Sequence, residues 1–239
     1  MPSAKDVTID SAFIKCMVIG KAGSGKSIFA STFPTPAYVF DFDKGILSYR
    51  GKDFDYDHFP VTSAGWMAFE KKAKEIEVAV KEGKYKTVVF DSASTLTDLA
   101  MERAMALDPK RSATGGPLWN VHYQMVKNLV EGRVQKLLNL NCNIVLNAHI
   151  DIVTDQETGA IIDIQPLLTG TLSTKIPGLF DEVYYATNKV ENKVTNWYLQ
   201  TIPKGMLAAR SRISGKERIL PDFIPNDYEA LMSIVNKKK

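Results

Sequence analysis

Four short apolar runs recur along the first 150 residues of the chain. They span residues 14–19, 37–42, 87–90 and 143–148, and they are rich in β-branched and aromatic side chains. Runs of this length and composition are typical of strands that are buried on both faces of a sheet. The pattern therefore predicts four central strands.

Helical patterns alternate with these runs, at residues 26–32, 64–82, 94–107 and 119–140. Strands that alternate with helices form mostly parallel sheets with helices on both faces. The last third differs: it predicts strand–turn–strand units at 151–164 and 183–202, and a helix at 227–236. We therefore expect an α/β fold, a mostly parallel sheet flanked by helices, with antiparallel hairpin additions.

Composition limits the class of protein. The chain has 239 residues and a mass of 26.6 kDa, and its 45% hydrophobic and 24% charged residues exclude a disordered chain, a collagen-like fibre and a coiled coil. We expect one domain over residues 1–239, with a core at about 14–219 and a short basic tail. The apolar runs are too short to cross a bilayer, and residues 1–10 lack the apolar segment of a secretory signal. We therefore expect a cytoplasmic protein without a membrane partner, in which Cys16 and Cys142 are buried thiols.

Charge is unevenly placed along the chain. The formal net charge is +3, and the segment from residue 201 onward holds eight basic and four acidic residues. That segment carries +4 and leaves −1 for the first 200 residues. Such asymmetry suits a polyanion partner, although a solvated C-terminal tail of three lysines explains it equally well.

The first predicted strand leads directly into a glycine-rich motif. Residues 20–27 read GKAGSGKS and match G-x-x-x-x-G-K-[ST] in full, between a strand and a helix. The glycines let consecutive N–H groups point at phosphate oxygens, and the helix start adds its positive dipole end. Lys26 would bridge the β- and γ-phosphates, and the Ser27 hydroxyl would bind Mg²⁺. The predicted nucleotide-binding residues are Gly20, Ala22, Gly23, Ser24, Gly25, Lys26, Ser27 and Ile28.

Two carboxylates follow other predicted strands. Asp91 closes the run at 87–90 and is the candidate that holds Mg²⁺ through water. In many ring ATPases a Glu follows this Asp and orients the attacking water, but position 92 is Ser. Asp43, after the second strand, is the candidate in its place, because α/β sites assemble at the carboxyl edge of the sheet. Strand alternation would put Asp41 on the same side as Asp43.

These features together resemble a known family. The glycine-rich motif, the FDFD sequence at 40–43, Asp91 without a following Glu, and the NAH sequence at 147–149 look like the RecA-like P-loop ATPase core. In particular the chain is similar, over roughly residues 14–219, to the compact phage-encoded RecA-like proteins of single-strand annealing recombination. The resemblance implies ATP and Mg²⁺ as cofactors and a sensor of the γ-phosphate at His149. The implied catalytic residues are Lys26, Asp43, Asp91, His149, Arg210 and Arg212.

The resemblance also implies partners. It implies single-stranded DNA, assembly into a homo-oligomeric ring or filament, and the host cytoplasm if the protein is phage-encoded, with a single-strand-binding protein as a further candidate partner. The loops that face DNA would be residues 108–118 and the segment that follows the fourth strand. Lys110, Arg111 and Lys175 would supply cations for phosphates. The second loop is also acidic, and solvated surface loops explain these residues about as well.

Two arginines stand close together in the basic C-terminal segment. Arg210 and Arg212 are two positions apart in an extended stretch, so we expect them to form a paired cationic fork. In RecA-like assemblies such a pair from one subunit stabilises transition-state charge at the γ-phosphate of its neighbour. Ordinary surface arginines are the alternative.

Three functions stay open from the sequence. The leading hypothesis is an ATP-hydrolysing DNA-recombination protein that binds single-stranded DNA and promotes annealing or strand pairing, with slow and DNA-stimulated hydrolysis. A nucleotide-dependent switch or scaffold with little hydrolysis would fit the short Asp43 side chain, since the family usually has Glu there. A small-molecule phosphotransferase would use the same P-loop together with an acceptor pocket.

Overall fold

A nine-stranded mixed sheet forms the centre of the computed structural model, which describes residues 13–215 and 218–237. Our expectations for residues 1–10 and for Lys238 and Lys239 lie outside the described residues. The strands are β1 (Lys15–Ile19), β2 (Ala37–Asp41), β3 (Phe54–His58), β4 (Thr87–Asp91), β5 (Asn143–Ala148), β6 (Ile150–Thr154), β7 (Ile161–Pro166), β8 (Glu182–Glu191), β9 (Val194–Gln200), β10 (Arg210–Ser211) and β11 (Phe223–Pro225). The helices are α1 (Lys26–Ala30), α2 (Ser63–Lys81), α3 (Ala93–Leu107), α4 (His122–Leu138), α5 (Leu172–Leu179) and α6 (Tyr228–Asn236), with a 3-10 turn at Ile46–Tyr49. Among the described residues, none of the helices is both long and apolar enough to cross a membrane.

Most of the sheet is parallel. The strand order is β11-β9-β8-β1-β5-β4-β2-β3, and β10 pairs with β8. β1 pairs in parallel with β5 on one edge and with β8 on the other, and parallel pairing continues from β5 through β4 and β2 to β3. The carboxyl ends of these strands therefore lie along one edge of the sheet. The predicted fold class, α/β with a mostly parallel sheet and antiparallel additions, is confirmed.

Side chains of the central strands alternate between two hydrophobic cores, one on each face of the sheet. Met17 and Ile19 of β1 belong to the larger core, which the sheet shares with α2, α3, α4 and α5. Cys16 and Val18 belong to the other core, which is covered by α1 and α6. Both cysteines are free and buried, as predicted. Helices on both faces explain why these strands are apolar throughout rather than alternating.

The predicted elements agree with the structure along most of the chain. The four central strands are confirmed as β1, β2, β4 and β5, each to within one residue. The helices α1, α2, α3, α4 and α6 are confirmed to within three residues at either end. The predicted turns of both hairpins are also present, because β6 pairs with β7 and β8 pairs with β9.

Two expectations about the last third are wrong in detail. β8 is parallel to β1 and extends the central sheet, so the antiparallel additions begin only with β9. The β6–β7 hairpin forms a separate two-stranded sheet instead of joining the large one. The cause is that β8, and not the hairpin, occupies the free edge of β1.

Besides the 3-10 turn at Ile46–Tyr49, three further elements were not predicted. The edge strand β3 has the sequence FDYDH, and its acidic residues at 55 and 57 obscured it. An edge strand has only one neighbour, here β2, so its polar side chains can reach solvent or accept hydrogen bonds. Helix α5 and the three-residue strand β11 also lie where the sequence shows no clear periodicity.

A buried ion cluster joins α2 to α4. Arg133 in α4 donates its Nε to Glu70 at 2.9 Å and its Nη1 to Glu77 at 2.6 Å, and both glutamates lie in α2. The arginine side chain is only 2% exposed, whereas the glutamate side chains are 32% and 24% exposed. A buried guanidinium with two carboxylate partners holds one packing arrangement of the two helices.

We therefore expect Arg133→Ala to lower the free energy of unfolding by about 2–3 kcal/mol, because two carboxylates then remain together without their cation. Urea unfolding followed by circular dichroism measures the change. The matched control is Lys175→Ala, which removes an exposed ion pair with Glu131 and should cost less than about 0.5 kcal/mol. Equal losses in the two variants would show that the cluster contributes no more than a surface pair.

Candidate nucleotide-binding site

The glycine-rich segment 20–27 forms a loop between β1 and α1. Gly23 and Gly25 have φ angles of +73° and +98°, which glycine adopts without strain. Among the described residues, no backbone carbonyl accepts a hydrogen bond from the N–H groups of Gly25, Lys26 or Ser27. The loop therefore leaves several backbone donors available to an anion.

Lys26 is the first residue of α1, and its side chain folds back over the loop. The ammonium group donates to the carbonyls of Gly20 at 2.9 Å and Lys21 at 3.0 Å, and the residue is buried. Burial lowers the pKa of Lys26, and the nearby carboxylates of Asp91 and Asp43 oppose that shift. The loop carbonyls of Gly20 and Lys21 therefore already hold this side chain over the loop.

Asp91 ends β4 and is held by a tyrosine that the sequence did not single out. The hydroxyl of Tyr49, in the 3-10 turn, donates to Asp91 Oδ2 at 2.8 Å. Burial and the neighbouring Asp91 raise the pKa of Tyr49, so the phenol remains a donor. The Ser27 side chain opposes this shift and lowers the pKa of the same phenol. Both predicted Mg²⁺ ligands, Ser27 and Asp91, therefore influence Tyr49.

Asp43 lies just after β2 and ends a hydrogen-bond chain that starts at Lys26. His149 connects them: its Nδ1 is 3.5 Å from Lys26 Nζ and its Nε2 is 3.2 Å from Asp43 Oδ2. An ammonium group can only donate, so Nδ1 is the acceptor in the contact with Lys26 and Nε2 is the donor to Asp43. The hydroxyl of Thr95 donates to the other oxygen of Asp43. Burial alone would raise the pKa of Asp43, but the hydrogen bonds from His149 and Thr95 outweigh burial and lower it to about 2.

His149 also stands at the root of the β6–β7 hairpin. Its backbone N–H donates to Ser94 Oγ at 3.0 Å, and its carbonyl accepts from the N–H of Leu167 at 2.8 Å. Leu167 directly follows β7, so the hairpin leaves and returns at this one residue. A side chain in contact with the P-loop lysine is thus part of the base of an exposed hairpin.

Two buried polar side chains near the loop lack partners among the described residues. They are Ser24 Oγ in the loop and both amide atoms of Asn147, the residue of β5 that pairs with Val18. An unsatisfied buried polar group is costly unless a ligand or water completes it. The NAH sequence at 147–149 drew attention to His149, and the structure adds Asn147 to the site.

These residues fit a nucleotide with Mg²⁺. The loop donors and Lys26 would hold the phosphates, Ser27 and Asp91 would hold the metal, and the metal would neutralise charge that develops on the transferred phosphoryl group. No cluster of three or more His, Cys, Asp or Glu side chains able to hold a metal occurs in the part of the chain that the structure describes. Phosphate oxygens would therefore have to complete the coordination of the cation.

Comparison with known families identifies the chain. A model described as AAA domain matches residues 12–213. The chain belongs to this family. It therefore carries a P-loop ATPase domain, and membership implies a nucleotide that such domains typically bind with Mg²⁺. The comparison with curated proteins gives no match. Among solved structures, the KaiC-like protein PH0186 of the hyperthermophilic archaeon Pyrococcus horikoshii OT3 is similar, at 14% identity over 90% of this chain and 87% of that chain, with a TM-score of 0.48.

Asp41 does not join Asp43 in this AAA-domain site. β2 ends at Asp41, and its buried carboxylate accepts from the N–H of Gly45 at 2.9 Å, with His58 Nδ1 at 4.0 Å. Burial raises the pKa of Asp41, although the hydrogen bond from Gly45 opposes this. The expected same-side pair is thus divided between two separate sets of partners, because strand alternation stops where the strand ends.

The two arginines of the predicted fork have separate partners within the chain. Arg210 Nη2 donates to the carbonyls of Pro177 at 2.9 Å and Gly178 at 3.1 Å, at the end of α5. Arg212 pairs with Asp181 at 2.5 Å, and its side chain is 62% exposed. β10 pairs with the first two residues of β8, so both arginines lie away from the carboxyl edge that holds the P-loop. They therefore do not form a free fork toward the chain's own site, and a role in a neighbouring subunit stays a prediction.

The three predicted DNA contacts are also partly engaged. Arg111 donates to the carbonyls of Met105 and Asp108, which end α3, while Lys110 is exposed beside it. Lys175 lies inside α5, where a loop was expected, and pairs with Glu131 at 3.7 Å. DNA contact by these residues stays a prediction, and Lys110 is the one that the structure leaves most accessible.

The chain from Lys26 to Asp43 generates a prediction about protonation. In His149→Ala we expect the pKa of Asp43 to rise from about 2, because burial remains and a principal donor is lost. A group with a depressed folded-state pKa stabilises the fold above its unfolded pKa, and this contribution disappears as the pH falls through the folded value. His149→Ala should therefore be less stable than the wild-type protein at neutral pH, and the difference should disappear as the pH falls through about 2. Carbon-detected NMR titration of the Asp43 carboxyl measures the shift directly. An unchanged Asp43 titration in the variant would mean that His149 does not hold this carboxylate.

Proposed function

We propose that this AAA-domain protein is an ATP-hydrolysing DNA-recombination protein that binds single-stranded DNA and promotes annealing or strand pairing. One observation carries the proposal: His149 contacts Lys26 and Asp43 at the nucleotide edge and also forms the root of the exposed β6–β7 hairpin. A γ-phosphate bound at Lys26 would compete with His149 Nδ1 for the hydrogen bond that the Lys26 ammonium group donates. The hairpin thereby senses which nucleotide is bound.

Slow hydrolysis in the absence of DNA follows from the state of Asp43. Both of its oxygens accept hydrogen bonds, one from His149 and one from Thr95. A carboxylate with a pKa of about 2 is a weak base and a poor acceptor for a proton from water. DNA that displaces the hairpin would move His149 away from Asp43 and free it to orient the attacking water. This supports DNA-stimulated turnover over a kinase, which needs an acceptor pocket instead.

Exposed apolar side chains offer contacts for bases. Trp119 is 71% exposed, and its ring packs against Tyr123 in a tilted arrangement with centroids 4.6 Å apart. Ile161 and Ile162 of β7 are exposed as well. Exposed aromatic faces bind single-stranded bases without regard to sequence, and Lys110 lies in the loop that leads to Trp119. The acidic residues of the hairpin make its tip an unsuitable phosphate contact, so the path of DNA would avoid it.

The function is tested by ATPase assays with and without oligothymidine. We expect single-stranded DNA to raise kcat by about tenfold or more, because it releases Asp43 from His149. Asp43→Asn should retain ATP binding and lose turnover in both conditions. ATP binding without turnover, with or without DNA, would favour the switch or scaffold function, and turnover that requires a small hydroxyl acceptor would favour a phosphotransferase.

The predicted role of the arginines between subunits is tested by mixing variants. Arg210→Ala/Arg212→Ala should lose about 10³-fold in kcat if these side chains complete the site of a neighbour. Lys26→Ala has an inactive P-loop but intact arginines, so mixed assemblies should recover part of the ATPase activity. Because Arg210 also caps α5, the unfolding midpoint of the double variant must be measured in parallel. Mixed assemblies that show only the sum of the two separate activities would rule out action between subunits.

A further inference from the structure

Three side-chain donors from the C-terminal part of the chain hold the P-loop from outside. Asn188 Nδ2 and Trp197 Nε1 both donate to the carbonyl of Gly23, at 3.0 Å and 3.2 Å. Asn226 Nδ2 donates to the carbonyl of Gly25 at 2.8 Å. A loop that points its N–H groups inward at phosphates turns carbonyls outward. The three side chains donate to two such carbonyls, those of Gly23 and Gly25.

The three donors form one unit. Asn188 of β8 and Trp197 of β9 are directly opposite each other in the antiparallel register of the β8–β9 hairpin. The backbone N–H of Asn226, just after β11, donates to the carbonyl of Trp197 at 3.2 Å. The side chains therefore arrive at the loop already fixed to one another, and the hairpin and the segment after β11 move together with them.

Packing at Gly25 shows how close this contact is. A Cβ added at Gly25 would meet Trp197 Cδ1 at 2.6 Å and would also collide with the amide of Asn226. Gly25 thus needs to be glycine for two reasons, its φ of +98° and the indole against it. The match to the P-loop motif accounts only for the first.

We infer that Asn188, Trp197 and Asn226 are positioning residues for nucleotide binding, which hold the P-loop backbone in the shape that receives the phosphates. Their hydrogen bonds go to the carbonyls of the loop. Gly23 is held by two donors and Gly25 by one, so either donor on Gly23 can partly substitute for the other. If these residues position the loop, removing both donors to Gly23 should therefore weaken ATP binding more than the two single losses combined. A general loss of stability would not single out this pair of donors.

A double-mutant cycle tests the inference, with Mg²⁺ and ATP as the probe and no DNA present. Asn188→Ala and Trp197→Phe should each weaken ATP binding about twofold, while the double variant should weaken it about tenfold, more than the product of the two. Asn188→Ala combined with Asn226→Ala affects two different carbonyls, so the effects of this pair should multiply without excess. At saturating ATP, kcat should change less than the dissociation constant in all of these variants.

The matched control is Asn196→Ala. Asn196 precedes Trp197 in β9, so alternation turns its side chain to the other face of the hairpin, and ATP affinity should be unchanged. The chain has three tryptophans, so the indole N–H signals in a ¹H–¹⁵N spectrum are few enough to assign by Trp197→Phe. Adding Mg²⁺ and ADP should shift the Trp197 signal and leave those of Trp66 and Trp119 in place.

The outcomes separate clearly. Unchanged ATP affinity in the Asn188→Ala/Trp197→Phe variant, or an excess of the same size in the Asn188→Ala/Asn226→Ala variant, would overturn the inference. If the double variant unfolds at a lower midpoint, two other results decide between the outcomes. They are the shift of the Trp197 indole N–H signal in the wild-type protein and the twofold loss of ATP affinity in the folded single variants. The proposed DNA function can fail in the oligothymidine assay without affecting any of these results.

Discussion

β1 lies between two parallel neighbours and is buried from both faces, and the site depends on this placement. Pairing with β5 puts Ile19 beside Ala148, and the N–H of Gly20 extends the ladder to the carbonyl of Ala148. This register fixes the residues that follow the two strands: the P-loop begins at Gly20, directly after β1, and His149 directly follows β5. The contact between the P-loop lysine and His149 follows from this register, and a shift of one residue would reverse the direction of each side chain.

Asp41 and Asp43, at the same sheet edge, have pKa shifts of opposite direction because their hydrogen-bond donors differ. Burial raises the pKa of Asp41, which has one backbone donor and no hydroxyl partner. Asp43 is also partly buried, but His149 and Thr95 both donate to it and its pKa falls. Asp91 receives a phenol instead. Hydrogen-bond donors, more than depth of burial, thus set the chemical role open to each acid at this edge.

The sequence predicted those parts of the molecule that local pattern determines. Apolar runs identified the four central strands, and the P-loop motif identified a phosphate site because glycine spacing and one lysine carry that chemistry within eight residues. Tyr49 and Trp197 gave no signal, since an aromatic residue in a turn or strand is usually core, and their partners lie 42 and 174 residues away. For Arg210 and Arg212 the local spacing was misleading. It suggested a pair, but Arg210 donates to carbonyls at the end of α5, whereas Arg212 forms an ion pair with Asp181.

The support of the P-loop by distant residues has a consequence for biosynthesis. The carbonyl of Gly25 accepts from a side chain 201 residues later, that of Asn226, and the backbone N–H of Tyr228 donates to the Thr32 hydroxyl just beyond α1. A ribosome makes the glycine-rich motif early but completes these contacts only when most of the chain has emerged. During translation the nascent loop therefore lacks the partners that shape it, and a growing chain cannot yet hold a nucleotide as the finished protein would.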